Sequence, residues 1–443
     1  MRTLTARQVH RRYLILHGLR WAPVGLLIPV WVLLMLERGL TLAQIGLVVA
    51  AQGLAVLLLE LPTGGLADAV GRKPVLIGAA VANLASLSLL VVADSFTLFV
   101  VVMLLQGVYR ALESGPLESW YVDATLAADP DARYEGGLSH GGVVLGLAIA
   151  AAALASGGLV ALGPVGPVSA LTGPVLVAAL LQVVGLVGLA WLLVEARPAG
   201  AVPVAGGRSA RVPTVGASIR QVPSVMRDAL TLLRRSRILL ALISVELFWG
   251  FGMISFETLM PVRLAEVTGD ADRAAALLGP VGAFAWLASA GGAALVPSIT
   301  RRLGAPVTAV AFRVAQGATV AGMALFAGPV GVIAAFLACY AIHGASNPVH
   351  MGLLHRQVDG GHRTSVVSLN SMVAHPAGAL GGVVLMAIAG ATTVSLAMLV
   401  GAAVLAAAAP LYLVARHPRR RGQPTLSPPA GSSVESARPA ERV

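Results

Sequence analysis

A chain of 443 residues that is 57% hydrophobic and only 12% charged, with a mean hydropathy of +0.84, cannot fold as a water-soluble domain, because too little polar surface would be left to face solvent. The formal net charge of +11 would indicate a polyanionic partner if the basic residues lay on such a surface. The single cysteine, Cys339, sits in an apolar stretch, which excludes a disulfide framework and a cysteine-rich metal site.

Twelve apolar stretches approach or exceed the length of about 20 residues that crosses a bilayer as helix. In chain order they are 13–36, 42–64, 74–93, 95–117, 139–162, 167–194, 238–262, 275–299, 305–327, 329–352, 364–389 and 392–415. Arg2, Arg7, Arg11 and Arg12 precede the first, which is too long for a signal peptide and lacks a small-residue cleavage site, so it is expected to be retained as a span. Between the second and third lies the charged turn Glu60-Leu-Pro-Thr-Gly-Gly65-Leu-Ala-Asp68-Ala-Val-Gly71-Arg72-Lys73. Gly71 permits positive φ in a tight reversal, and Arg72 and Lys73 mark the turn as cytoplasmic.

This turn resembles the loop between spans two and three of the major facilitator superfamily, whose pattern reads Gly-x-Leu-x-Asp-x-x-Gly-Arg-Lys/Arg. Gly65, Leu66, Ala67, Asp68, Gly71, Arg72 and Lys73 fall within it. With the N-terminus inside, cytoplasmic segments hold 25 of the 31 Lys and Arg residues, external turns hold Arg38, Arg263 and Arg273, and three lie within spans. That asymmetry follows the positive-inside rule and accounts for the charge without a nucleic-acid partner. It places both termini in the cytoplasm and the protein in the cell membrane.

An internal repeat appears at an offset near 233: Pro29-Val30 recurs as Pro261-Val262, Gly46 as Gly279, Pro62 as Pro297, and Ser114-Gly-Pro116 as Ser346-Asn347-Pro348. The preserved order argues for duplication of a six-span unit. Six is even, so the copies are parallel repeats about an axis along the membrane normal. The expected architecture is an all-α membrane protein of twelve helices in two six-helix bundles, 1–194 and 238–415. Residues 195–237 form a cytoplasmic linker and 416–443 a disordered tail. Within the linker, 218–235 patterns either as an interfacial amphipathic helix or as a disordered basic segment.

No Walker A, His-Glu-x-x-His or Gly-x-Ser-x-Gly sequence is present, so neither an enzyme, a cofactor, a resident metal nor ATP-driven pumping has support. Ionisable residues inside the membrane are therefore the functional candidates. Glu246 lies in span seven with no basic residue in the span's centre, as an isolated carboxylate able to carry a proton or as one satisfied by a neighbouring span. Trp249, one turn on, would wall a substrate cavity, as would Asn347. His375, before Pro376, reads as a proton-exchanging group or as a side chain satisfying a helix kink. Arg110 and Glu113 can pair along their own helix, whereas Arg20 in span one is a candidate for an anionic substrate group.

The resemblance implies that Asp68 faces span eleven and that Arg72 pairs with an acidic residue ending span four, either Glu118 or Asp123. With Glu60 and Lys73 these would form a latch of the outward-facing state that breaks on opening inward. Span four resembles the drug:proton antiporter branch at Gln106-Gly107 but carries Met103 where that branch has arginine, and the span-five glycines lack its proline. The reading is a monomeric, proton-coupled multidrug-type efflux antiporter of small amphipathic compounds, with an apolar interior suited to greasy or weakly cationic substrates. The alternatives are a proton-linked importer of a small metabolite and a transport-inactive receptor.

Overall fold

In the computed structural model, residues 4–64, 66, 70–195, 236–357 and 363–416 are described. They form twelve helical spans long and apolar enough to cross a membrane. The first six are Ala6–Glu37, Leu42–Leu59, Arg72–Val92, Phe96–Ala128, Glu135–Ala161 and Thr172–Leu192. The second six are Arg237–Thr268, Ala271–Leu303, Ala305–Leu325, Pro329–His355, Leu369–Ala391 and Val394–Ala415. Among the described residues the only strand-like pairing is an isolated bridge between Val165 and Val168. The linker helix over 218–235 and the tail lie outside the described residues.

Several spans run beyond their apolar stretches because the helix breaks and resumes. Span four stops at Glu113 and restarts at Pro116, with Gly115 between them in the left-handed region at φ 97°. Glycine carries no Cβ penalty there, and proline at the first helical position leaves an N–H that needs no partner. Span ten, whose Ser346-Asn347-Pro348 matches this segment, stays helical throughout. Span one pauses between Leu27 and Trp31 at Pro29, and span seven pauses at Thr258 before Pro261.

The face that carries Arg11, Arg72, Arg133, Arg301 and Arg356 is called the basic face. Toward the opposite face the two halves share one apolar cluster, to which Leu34, Met35 and Ile45 contribute from the first half and Leu259, Met260 and Met386 from the second. Spans two and eleven, and spans five and eight, carry this junction. At spans five and eight it is backbone on backbone: a methyl at Gly279 would meet the Ala153 carbonyl oxygen at 2.6 Å and Gly157 Cα at 2.7 Å. Toward the basic face the cores are separate. One is built by Tyr13, Leu16, Leu76 and Trp120 of the first half, the other by Leu242, Ile243, Leu353 and Tyr412 of the second. Among the described residues the halves thus share a core at one face and have separate cores at the other, the arrangement called here sealed and parted.

Candidate functional site: a mid-membrane cavity between the halves

Beneath the seal lies a cavity of about 470 Å³, within the range of small-molecule sites. Spans seven, ten and eleven supply most of its wall, and spans two and four close it from the first half. The wall is far less apolar than the sequence suggests. Gln52 and Arg110 face it from the first half, and Glu246, His343, Asn347 and His375 are among those facing it from the second. Hydropathy averages over a helix and cannot show that its few polar residues converge on one face.

Glu246 is 6% exposed and is not isolated. Its Oε1 lies 3.2 Å from His350 Nε2, on span ten. That ring is itself 1% exposed and places Nε2 3.1 Å from Asn370 Oδ1 and Nδ1 2.9 Å from the Tyr412 hydroxyl. Arg313, 3% exposed, also borders the cavity and donates to Gln316 Oε1 at 2.8 Å. The carboxylate is therefore met by His350 of a neighbouring span, as a buried charge requires, so of the two readings of Glu246 the structure has the one satisfied across spans and not the isolated carboxylate. His350 escaped sequence reasoning because its partner is 104 positions away. The available signal was its seven-residue spacing from His343, which puts both rings on one helical face.

Trp249 lines the cavity as expected, its ring stacked on His343 with centroids 5.8 Å apart and planes within 13°. Asn347 also lines it. His375 borders it and has Nδ1 2.7 Å from the Ser371 carbonyl oxygen, so this nitrogen donates one turn back along its own helix beside Pro376. Glu257, on the same face of span seven, accepts from the Tyr340 hydroxyl at 2.8 Å.

The first half differs from expectation at Glu113 and at Arg20. Glu113 pairs with Arg20 and not with Arg110, because Glu113 turns toward span one while Arg110 turns into the cavity. Arg20 also contacts Glu118 Oε1 at 2.9 Å, and His17 Nδ1 lies 3.7 Å from the same oxygen. Arg20 is thus consumed in a buried cluster beside a void of about 30 Å³ and does not face the cavity.

At the basic face, Gly71 has φ 102° and precedes the helix of span three. Arg72 contacts Asp123 Oδ2 at 2.6 Å. Lys73 donates its backbone N–H to Glu195 Oε1 at 2.8 Å and its Nζ to the Ala190 carbonyl at 2.6 Å. Glu118 is engaged by Arg20, which leaves Asp123 as the partner of Arg72. This ion pair joins spans three and four, so by itself it does not bridge the first and second halves. Gly65, Asp68 and the Glu60 side chain lie outside the described residues.

The Major Facilitator Superfamily profile matches residues 13–382. A stretch of 103 residues is 27% identical to the uncharacterized MFS-type transporter YxaM of Bacillus subtilis (strain 168), covering 23% of this chain and 26% of that protein. Among solved structures, the nucleoside transporter NupG shares the fold at a TM-score of 0.72 and 14% identity, over 92% of this chain and 99% of its own. The human organic anion transporter MFSD10 does so at 0.58 and 14% over the same shares. A bacterial homolog of the human lysosomal transporter Spinster, solved inward-facing and unoccupied, does so at 0.65 and 16%, over 93% and 96%. The fold, the twelve spans and the profile match agree: this chain is a membrane transporter of the major facilitator superfamily.

Proposed function

We propose that the protein is a proton-coupled secondary transporter that exports small amphipathic compounds across the cell membrane by alternating access, with its basic face and both termini in the cytoplasm. In this reading residues 1–194 and 238–415 are two bundles that rock about the cavity, joined by the linker 195–237. The observation that carries it is the placement of Glu246 and His350 together in the wall of a cavity between the halves. A carboxylate that loses and gains a proton there changes the charge of the site that the substrate occupies. The arrangement with the basic face parted is then the inward-facing state.

Export, as opposed to uptake, rests on the likeness of the second-to-fourth span region to the antiporter branch. Reconstituted protein in vesicles loaded with pyranine tests both parts. Addition of a mixed library of small amphipathic compounds is expected to move protons out of the substrate-receiving compartment, in the direction opposite to the solutes. Proton movement in the same direction as the solutes would establish symport, and none at all would remove the coupling.

A further inference from the structure

Two opposite charges reach the cavity face from different halves without meeting. Arg110 of span four is exposed, lines the cavity and has no ion pair among the described residues. Glu257 of span seven is exposed as well, and lies four residues beyond the cavity-lining Met253, hence on the same helical face. The Tyr340 hydroxyl occupies one oxygen of Glu257 and so fixes its orientation. Through Tyr340, Glu257 adjoins an aromatic cluster that reaches the cavity, in which His343 stacks on Trp249 and lies 5.7 Å from Phe256 and 6.0 Å from Tyr340, centroid to centroid.

The remaining charges of the wall are already matched within the second half. Glu246 is held by His350, and Arg313 borders the same wall and donates to Gln316. A separated positive and negative group flanking a ring-lined surface is complementary to a molecule with the same separation of charge. A fixed guanidinium receives a carboxylate in fork geometry, a carboxylate receives an ammonium, and the wall receives a ring by stacking. We propose that the cavity binds a small zwitterion with an aromatic body, its carboxylate on Arg110 and its ammonium on Glu257. This rests on the transporter reading and replaces the greasy, weakly cationic substrate suggested by composition.

The test is equilibrium binding to the purified full-length protein in detergent, by titration calorimetry at pH 7, which needs no gradient and no coupling. The probes share one ring: L-phenylalanine, the anion 3-phenylpropionate and the cation 2-phenylethylamine. The zwitterion is expected to bind at least about tenfold tighter than either singly charged probe, the loss of one charge-assisted contact. Arg110→Gln is expected to level L-phenylalanine with 2-phenylethylamine, and Glu257→Gln to level it with 3-phenylpropionate. Arg110→Lys, which retains the charge, should keep a measurable preference and serves if Arg110→Gln fails to fold.

Equal affinity for the three probes, tighter binding of a singly charged one, or no binding of L-phenylalanine overturns the proposal. So does a zwitterion preference that appears only in Glu60→Gln, which would mean that Glu60 neutralises Arg110. Restored flux of the library in the charge-swapped Arg110→Glu/Glu257→Arg protein, with no zwitterion preference in the wild type, would make the two residues a gating pair. Failure in any of these ways leaves proton coupling at Glu246 intact, because the vesicle experiment reads it separately.

Discussion

A charged side chain at the centre of a membrane helix costs about 2.5 to 3.5 kcal/mol on insertion scales, so each one present must be compensated locally. Glu246 was legible from sequence because it interrupts an apolar run, and its role was arguable from that alone. Its compensation by His350 and Asn370 was not legible, since neither helical spacing nor composition reports which side chains meet across spans. Arg20 shows the same limit in reverse. The rule that residues three apart on a helix are neighbours suggested Arg110 with Glu113, whereas the fold gives Glu113 to Arg20. Removing one partner of a buried pair costs about 3 to 5 kcal/mol. Arg20→Met is therefore expected to lower the thermal midpoint of the purified protein markedly, and Glu113→Gln in the same chain to recover part of the loss. An unchanged midpoint in Arg20→Met would show that the cluster is solvated. At His375 the hydrogen bond to the Ser371 carbonyl favours a structural role, and glutamine can also donate there. His375→Gln is accordingly expected to transport within about twofold of wild type at all pH values, a change worth less than half a kcal/mol, and a flattened rate–pH curve would return it to the coupling machinery.

At the scale of elements, the number and order of the spans could be read because twenty apolar residues in a row are a strong and local signal. The breaks within them could not be timed, as the contrast between spans four and ten demonstrates. Equivalent Ser-x-Pro segments part company because Gly115 reaches a left-handed conformation and Asn347 remains helical. The turn after span two depends on Gly71 in the same way. Its φ of 102° excludes β-branched residues, and a Cβ there would lie 2.9 Å from the Glu195 carboxylate that caps span three. Gly71→Val is expected to destabilise by about 1 to 3 kcal/mol, read as earlier thermal unfolding and reduced turnover together. The seal between spans five and eight is sensitive from the other direction. Gly279→Val overfills a backbone contact by an amount typically costing about 1 to 3 kcal/mol. It should favour the arrangement in which this face opens, so a cysteine placed at Leu34 should label faster from outside than in the otherwise identical parent. Equal labelling would show that this contact does not hold the face shut.

For the whole molecule, the apolar stretches and the internal repeat anticipate twelve spans in two halves, and the twelve spans are found. Neither could give the conformational state, because sealing and parting are properties of how two bundles lean and not of either sequence pattern. The state bears directly on the charged turn after span two. Its Arg72–Asp123 pair lies within one half, so a contact that changes as the halves lean involves other groups of that loop or its surroundings. In the proposed mechanism the seal, the cavity below it and the buried Glu246–His350 pair work together, and the central step is a proton bound in the cavity wall. That step is tested most directly by comparing wild type with Glu246→Gln in vesicles, measuring library-driven proton movement and, in the same preparation, exchange of solute at equal pH on both sides. The account predicts that Glu246→Gln loses proton movement by at least about tenfold while exchange stays within about twofold, the mark of uncoupling without loss of binding. Proton movement at the wild-type rate in Glu246→Gln would contradict it.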